Sequence, residues 1–314
     1  MKLLANPVLT RELRGRIRGK RALAMLVVYL SIIAVVTLLI YMAVASSFRH
    51  GINDPAAGPG REVGKAIFFT VMIVSLIQVC IITPSLTAGA ISGERERQSY
   101  DLLMTTLLSP LQIALGKLTS ALAFALLLIF AALPMAGLSF LFGGVSGMEL
   151  LIGIAGLVVT AICYATVGLF WSSVMRTTLA ATVMAQGSVI LILLAVPFIL
   201  TISTILLDPV INFDSPLFIY SMGFILCLHP FIALGASAVM LGEGEGPFYF
   251  TMTSTQGDLL VPAPWLAYIA ISLVLTLICL ALAVRMLQPG RSERVAKAKR
   301  PKQAQAESGW EREG

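Results

Sequence analysis

Six long stretches of the chain carry no acidic or basic side chain, and this constrains the fold more than any other feature. They are residues 22–44, 66–91, 118–142, 150–171, 178–207 and 265–284, and none contains Asp, Glu, Lys, Arg or His. A helix of about 20 apolar residues covers the ~30 Å hydrocarbon core of a bilayer. Backbone groups find no water there, so a segment of this kind must satisfy its own hydrogen bonds, as a helix does. Charged residues make up 12% of the 314 residues, against roughly 25% in soluble domains. The fold class expected is an all-α integral membrane protein with six transmembrane helices. The first stretch is longer than the apolar core of a cleavable signal and no small-residue cleavage site follows it, so it reads as a retained span.

A seventh apolar stretch, 217–241, is interrupted by His229-Pro230. Charge decides how to read it. Nineteen of the 22 Lys and Arg lie before the first span, in the 92–117 and 172–177 connections, or after the last span. Asp208, Asp214, Glu243, Glu245 and Asp258 share the 208–264 region, which has no Lys or Arg. Cytoplasmic loops carry the excess of cations. Six crossings place both basic ends in the cytoplasm of a cell membrane. Seven would send the eight-cation tail outside. Residues 217–241 are therefore expected to enter from the outer face and return, or to pack there as helix.

The segment "NPVLTRELRGRIRGKRA" precedes the first span. Leu9, Leu13 and Ile17 recur every fourth residue, while Arg11, Arg14 and Arg18 lie largely off that face. With Lys20 and Arg21 they predict a basic amphipathic helix on the inner leaflet, in contact with membrane lipid. The transmembrane domain is expected to occupy 1–287. Residues 288–314 are basic and low in apolar residues, and read as a disordered cytoplasmic tail.

The most informative stretch is "SGERERQSYDLLMTTLLSPLQIALGK", between the second and third runs. Pro84 predicts a kink in the second run, with helix resuming at Ser92. Glu94 with Arg97, and Arg97 with Asp101, are three and four residues apart, the spacing of neighbours on a helix surface. Tyr100, Leu103, Met104 and Leu107 supply an apolar side. The pattern predicts a short amphipathic helix over 93–107. Ser109-Pro110-Leu111-Gln112 is a capping box with Pro at the first helical position, so a second helix starts there. Lys117 is expected to snorkel toward the headgroups. The product is a helical hairpin, read as a docking element for a cytoplasmic partner.

Three blocks, in order, carry a family resemblance: "NPVLTRELRGRIRGKRA", "TPSLTAGAISGERERQSYDLLMTTLLSPLQIALGKL" and "LCLHPFIAL". Together they resemble the permease subunit of a type-2 ATP-binding-cassette (ABC) exporter, over nearly all of 1–287. The resemblance implies that the segment matching Gly93–Thr105 is a coupling helix docking on a nucleotide-binding subunit. The residues it singles out are Gly93, Glu94, Arg95, Glu96, Arg97, Ser99, Tyr100, Asp101, Leu103 and Met104. It implies an outer gate at Leu228–Leu234, with His229, Pro230 and Phe231 at its head; family members usually read "NPF" there, and this chain has His229. It implies a second permease copy, and ATP and Mg bound by the partner subunit rather than by this chain.

The residues themselves offer no engine. "LQIALGKL" has Leu111 where a Walker A loop needs Gly and Leu118 where it needs Ser or Thr, and no strand leads into it. Neither a Ser-His-Asp set nor metal-ligand spacing appears. Cys80, Cys163, Cys227 and Cys279 sit in apolar runs as small hydrophobes. An ion-coupled carrier commonly uses intramembrane carboxylates or His, which the six runs lack, though broken helices can serve instead. A membrane scaffold that anchors a soluble partner fits the same hairpin. Ser75, Gln78, Thr160, Gln186 and Ser188 are expected to bond between helices before they contact any substrate.

Overall fold

A computed structural model of the chain describes residues 20–49, 59–100, 109–207, 215–254 and 257–287. The expected interfacial helix with Arg11, Arg14 and Arg18, and the tail from 288 onward, lie outside these residues. Lys20 is exposed and Arg21 follows it in the first turn of the first helix.

Five long helices come first: α1 (Lys20–Arg49), α2 (Pro59–Glu96), α3 (Pro110–Leu141), α4 (Gly147–Val174) and α5 (Thr178–Leu207). Two short helices follow, α6 (Pro216–Leu226) and α7 (Pro230–Gly242). A two-stranded hairpin, β1 (Tyr249–Ser254) and β2 (Gly257–Pro262), leads into α8 (Pro264–Leu287). The six long helices are each long and apolar enough to cross a membrane, and each matches one of the runs read from sequence, the third falling one residue short at Leu141. The chain is an all-α membrane protein with a small β appendage.

Local chemistry sets the helix starts. Ser109 and Gln112 form the expected capping box ahead of α3, and Ser146 with Glu149 forms another ahead of α4. The kink expected at Pro84 does not interrupt α2, which is assigned as one helix of 38 residues. Proline inside a membrane helix is tolerated when neighbouring polar groups serve the loosened turn. Here the Ile81 carbonyl receives the Ser85 hydroxyl at 2.8 Å and the Gln186 amide of α5 at 3.1 Å.

Helix α2 occupies the centre, with α1, α3, α4 and α5 all packed on it, and α4 in turn packs on α8. The α2–α4 crossing is the most extensive. Gly168 makes it possible, because a Cβ there would overlap Thr87 Oγ1 and the Pro84 backbone. One turn further along α4, the Ser172 hydroxyl accepts from the backbone N–H of Ile91 at 2.8 Å and of Ser92 at 3.1 Å. At the other end of α2, Gly64 lies against Gly144 backbone to backbone. Of the polar residues singled out, Ser75 meets Tyr29 of α1 at 2.9 Å and Thr160 meets Tyr268 of α8 at 2.6 Å. Ser188 accepts from Trp171 Nε1 of α4 at 3.2 Å. Gln78 departs from the expectation: its amide is buried with no hydrogen-bond partner among the described residues.

Helices α6 and α7 have 11 and 13 residues, about 16 and 20 Å at 1.5 Å per residue. Neither reaches across a ~30 Å core. A bend of 116° separates them, and a bend past a right angle sends the chain back the way it came. The hairpin then pairs Tyr249 with Pro262 through Ser254 with Gly257. Tyr220 of α6 donates to the Leu260 carbonyl at 3.0 Å, and Trp265 Nε1 donates to the Pro247 carbonyl at 2.7 Å, so V and hairpin form one cap.

Gly168→Val should destabilise the chain by at least the roughly 1–3 kcal/mol of core overpacking, because the obstruction includes backbone. Gly137→Ala, where a Cβ meets open space, should cost nothing and gain up to about 1 kcal/mol of helix propensity. Thermal unfolding in detergent would measure both, and equal midpoints would refute the close-approach role of Gly168.

Candidate functional site

The site is built where α2 ends. Its 38 residues extend about 57 Å, well beyond the hydrocarbon core, so the last turns project past the 66–91 span. The helix stops because Gln98 adopts φ 58°, the left-handed region, after a turn at Arg97. Ser99 N–H closes the turn onto the Glu94 carbonyl at 3.0 Å. The structure thus corrects the expectation of one amphipathic helix over 93–107. Residues 93–96 are the last turn of α2, and 97–99 are a turn. Asp101, Leu103 and Met104 lie outside the described residues.

The pairing within this segment is also different from the helix pattern. Glu94 does not pair with Arg97. One carboxylate oxygen of Glu94 meets Lys117 Nζ of α3 at 3.2 Å, and the other accepts from the Ser99 hydroxyl. Lys117 does not snorkel outward either; it is 3% exposed. Its stem is enclosed by the α2–α3 contact, and its ammonium is satisfied by Glu94.

The next two residues address two other helices. Arg95 donates to the Met175 carbonyl at the C-terminal cap of α4, 3.0 Å away, and its guanidinium lies 5.0 Å from the centre of the Tyr100 ring. Glu96 accepts from Thr178 at the first position of α5, from the backbone N–H at 2.9 Å and from the hydroxyl at 2.7 Å. A cation at a helix C-terminus and an anion at a helix N-terminus each match the macrodipole they face. Three adjacent residues therefore tie the end of α2 to α3, α4 and α5. A Cβ on Gly93 would sit 3.4 Å from the Thr178 methyl, a contact distance, so α5 lies close against this turn. Arg97 and Gln98 remain exposed at the apex, and among the described residues Arg97 acts on Glu94 and Glu96 through its charge, without a hydrogen bond or close ion pair.

The residues at the bend of the V also come together, against the middle of α5. His229 caps α7, its Nδ1 accepting from the Ile232 N–H at 3.3 Å, which leaves Nε2 to donate to the Leu193 carbonyl of α5 at 3.3 Å. Pro230 opens α7, and the Phe231 ring lies 5.7 Å from the imidazole, packed among side chains of the α2–α4 core. His229 thus supplies the local cap and fastens the V to α5. Sequence reasoning missed Lys117 as the partner of Glu94, and missed Thr178 and Met175 altogether. The one available signal was Thr177-Thr178 ahead of an apolar run, a helix start that Thr177 caps through the Ala180 N–H at 3.3 Å while Glu96 takes the Thr178 N–H.

Comparison with known proteins identifies the chain at family level. The family model described as ABC-2 family transporter protein matches residues 6–289. No curated protein matches the chain.

The two pairings of Glu94 are separable by double-mutant cycles. Glu94→Gln with Lys117→Met should show a coupling of about 1 kcal/mol, the upper end for a pair that is partly exposed. Glu94→Gln with Arg97→Met should show a smaller coupling, because Arg97 acts on Glu94 through its charge alone. Detergent-denaturation midpoints of the single and double variants would measure both couplings, and the opposite ranking would refute the geometry.

Proposed function

The chain belongs to the ABC-2 transporter family, and on that premise we propose that it is the permease subunit of an exporter whose ATPase docks at Glu94–Tyr100. Members of this family form the membrane permease of an ABC transporter and partner with an ATP-binding cassette subunit. The chain itself holds no nucleotide motif, so ATP and Mg belong to the partner. The observation that carries the docking site is the bracing around Arg97 and Gln98. A push on that apex reaches α3 through Lys117, α4 through Met175 and α5 through Thr178. A free loop would absorb such a displacement; a knuckle tied to three helices passes it on.

The remaining assignments follow from this one. The basic end faces the cytoplasm of a cell membrane, with both termini there. Arg11, Arg14, Arg18, Lys20 and Arg21 hold the entry segment on the inner leaflet, and 288–314 forms a separate basic tail. Export as the direction rests on the resemblance to exporter permeases. A second permease copy completes the pathway. Helix α5 supports this with an exposed apolar face of Val183, Leu191, Leu194 and Phe198, a stripe that a second α5 would cover. His229, Pro230 and Phe231 form the outer gate at the bend of the V, so motion of α5 reaches the gate through the Leu193–His229 hydrogen bond.

Arg97→Glu should reduce co-purification of the ATPase subunit by about tenfold, a loss of roughly 1.4 kcal/mol, while leaving the thermal midpoint of the permease unchanged. Charge reversal at an exposed apex has little else to disturb. Undiminished partner retention by Arg97→Glu, and by Arg97→Glu with Asp101→Lys, would refute the docking site.

A further inference from the structure

Two adjoining cavities at the end of the molecule away from Glu94 have a polar mouth and an apolar trough. The trough, about 180 Å³, lies between α2, α4 and α7, and is lined by Phe68, Met72, Leu76, Gly153, Leu234 and Gly235 among others. The mouth, about 100 Å³, shares Phe68, Phe69, Glu149 and Ala238 with the trough and adds Lys65 and Glu243. Lys65 Nζ lies 3.9 Å from where a Cβ on Gly242 would sit, so the cation reaches the C-terminal end of α7. No described hydrogen bond or ion pair engages the Lys65 ammonium. Glu149 is only 8% exposed, and one of its oxygens accepts from the Ser146 N–H at 3.3 Å. A buried carboxylate beside an unpaired ammonium, above an apolar trough, is a demanding arrangement to leave without a ligand.

We propose that this paired cavity binds a zwitterionic phospholipid of the phosphoethanolamine class, from the leaflet opposite the Glu94 end. Depth supports it. From Lys65 to Glu94 along α2 is about 43 Å at 1.5 Å per residue, close to the ~40–45 Å between headgroup regions. Lys65 therefore stands at headgroup level. Leu76 lies about 16 Å further in, near the middle of a ~30 Å core, so the trough follows the course of an acyl chain. Its volume holds roughly six water-sized groups at about 30 Å³ each, a length of one chain rather than a whole lipid. Ile73 on its lip is 47% exposed, so the trough opens on the bilayer side.

Charge selects the head. Lys65 is placed for the phosphate, and Glu243 and Glu149 for the ammonium. A head that carries only negative charge would meet two carboxylates with one cation to offset them. Lipid binding here needs neither an ATPase nor transport, so this proposal and the docking proposal fail separately.

The test is native mass spectrometry of the full chain in detergent, titrated with phosphatidylethanolamine and phosphatidylglycerol of identical acyl chains, and with soluble phosphoethanolamine. The unmodified chain should retain phosphatidylethanolamine about fivefold over phosphatidylglycerol, the scale of one partly exposed ion pair. Gly235→Leu places a side chain in the trough from a position where a Cβ meets open space. It should lower lipid retention about tenfold, the worth of roughly two buried methylenes. Glu243→Gln, at the mouth, should remove most of the preference between the two lipids, because the preference comes from the carboxylates that face the ammonium. Circular-dichroism melting identifies any variant that fails to fold, and the other then decides. Equal retention of both lipids by the unmodified chain overturns the proposal. So does undiminished retention by folded Gly235→Leu, an unchanged preference in folded Glu243→Gln, or soluble phosphoethanolamine binding as tightly as the lipid.

Discussion

Where α2 crosses α4, the Ser172 hydroxyl accepts two backbone N–H groups of α2 while Gly168 lies flat against Pro84 and Thr87. In lipid there is no hydrophobic force between helices, because acyl tails are as apolar as Leu. Helices associate through close van der Waals contact and interhelical hydrogen bonds, both of which need small residues at the crossing. The α2–α4 pair supplies both, and α1, α3, α5 and α8 pack around it. Loosen that crossing and the other helices lose the surface that positions them.

The same helix runs through both candidate sites. At one, Glu94, Arg95 and Glu96 each find a partner on a different helix, so the end of α2 is held by neighbours rather than by its own periodicity. At the other, Gly64 presses against Gly144, and the wall begun by Phe68 and Met72 meets α7 through Phe231 and Leu234. The V of α6 and α7 is fastened in turn to α5 by His229. A displacement of α5 at Thr178 and one at Leu193 are displacements of the same rigid element, 15 residues apart. One helix, α5, therefore contacts both the end of α2 and the bend of the V.

Much of this was legible beforehand. The six spans and the capping box at Ser109 follow from hydropathy and from neighbours three residues apart, which a sequence displays directly. The reversal within 217–241 came from a count of cations, since orientation in a bilayer is a property of loop charge. The β-hairpin was not read, although "YFTMTS" is rich in aromatic and β-branched residues, because the surrounding apolar stretches drew the reading toward helix. Helix periodicity suggested Glu94 with Arg97, a correct rule applied past the point where Gln98 breaks the helix.

By itself the sequence determined that six helices cross, roughly where each begins, and which connections carry charge. A bilayer turns a continuous apolar run into a helix with few alternatives, so local composition suffices. Only the tertiary structure decided that Glu94 answers to Lys117, 23 residues away, and Glu96 to Thr178, 82 residues away. Such partners meet because α2 packs against α3 and α5 at a particular depth and rotation, and no local period records either.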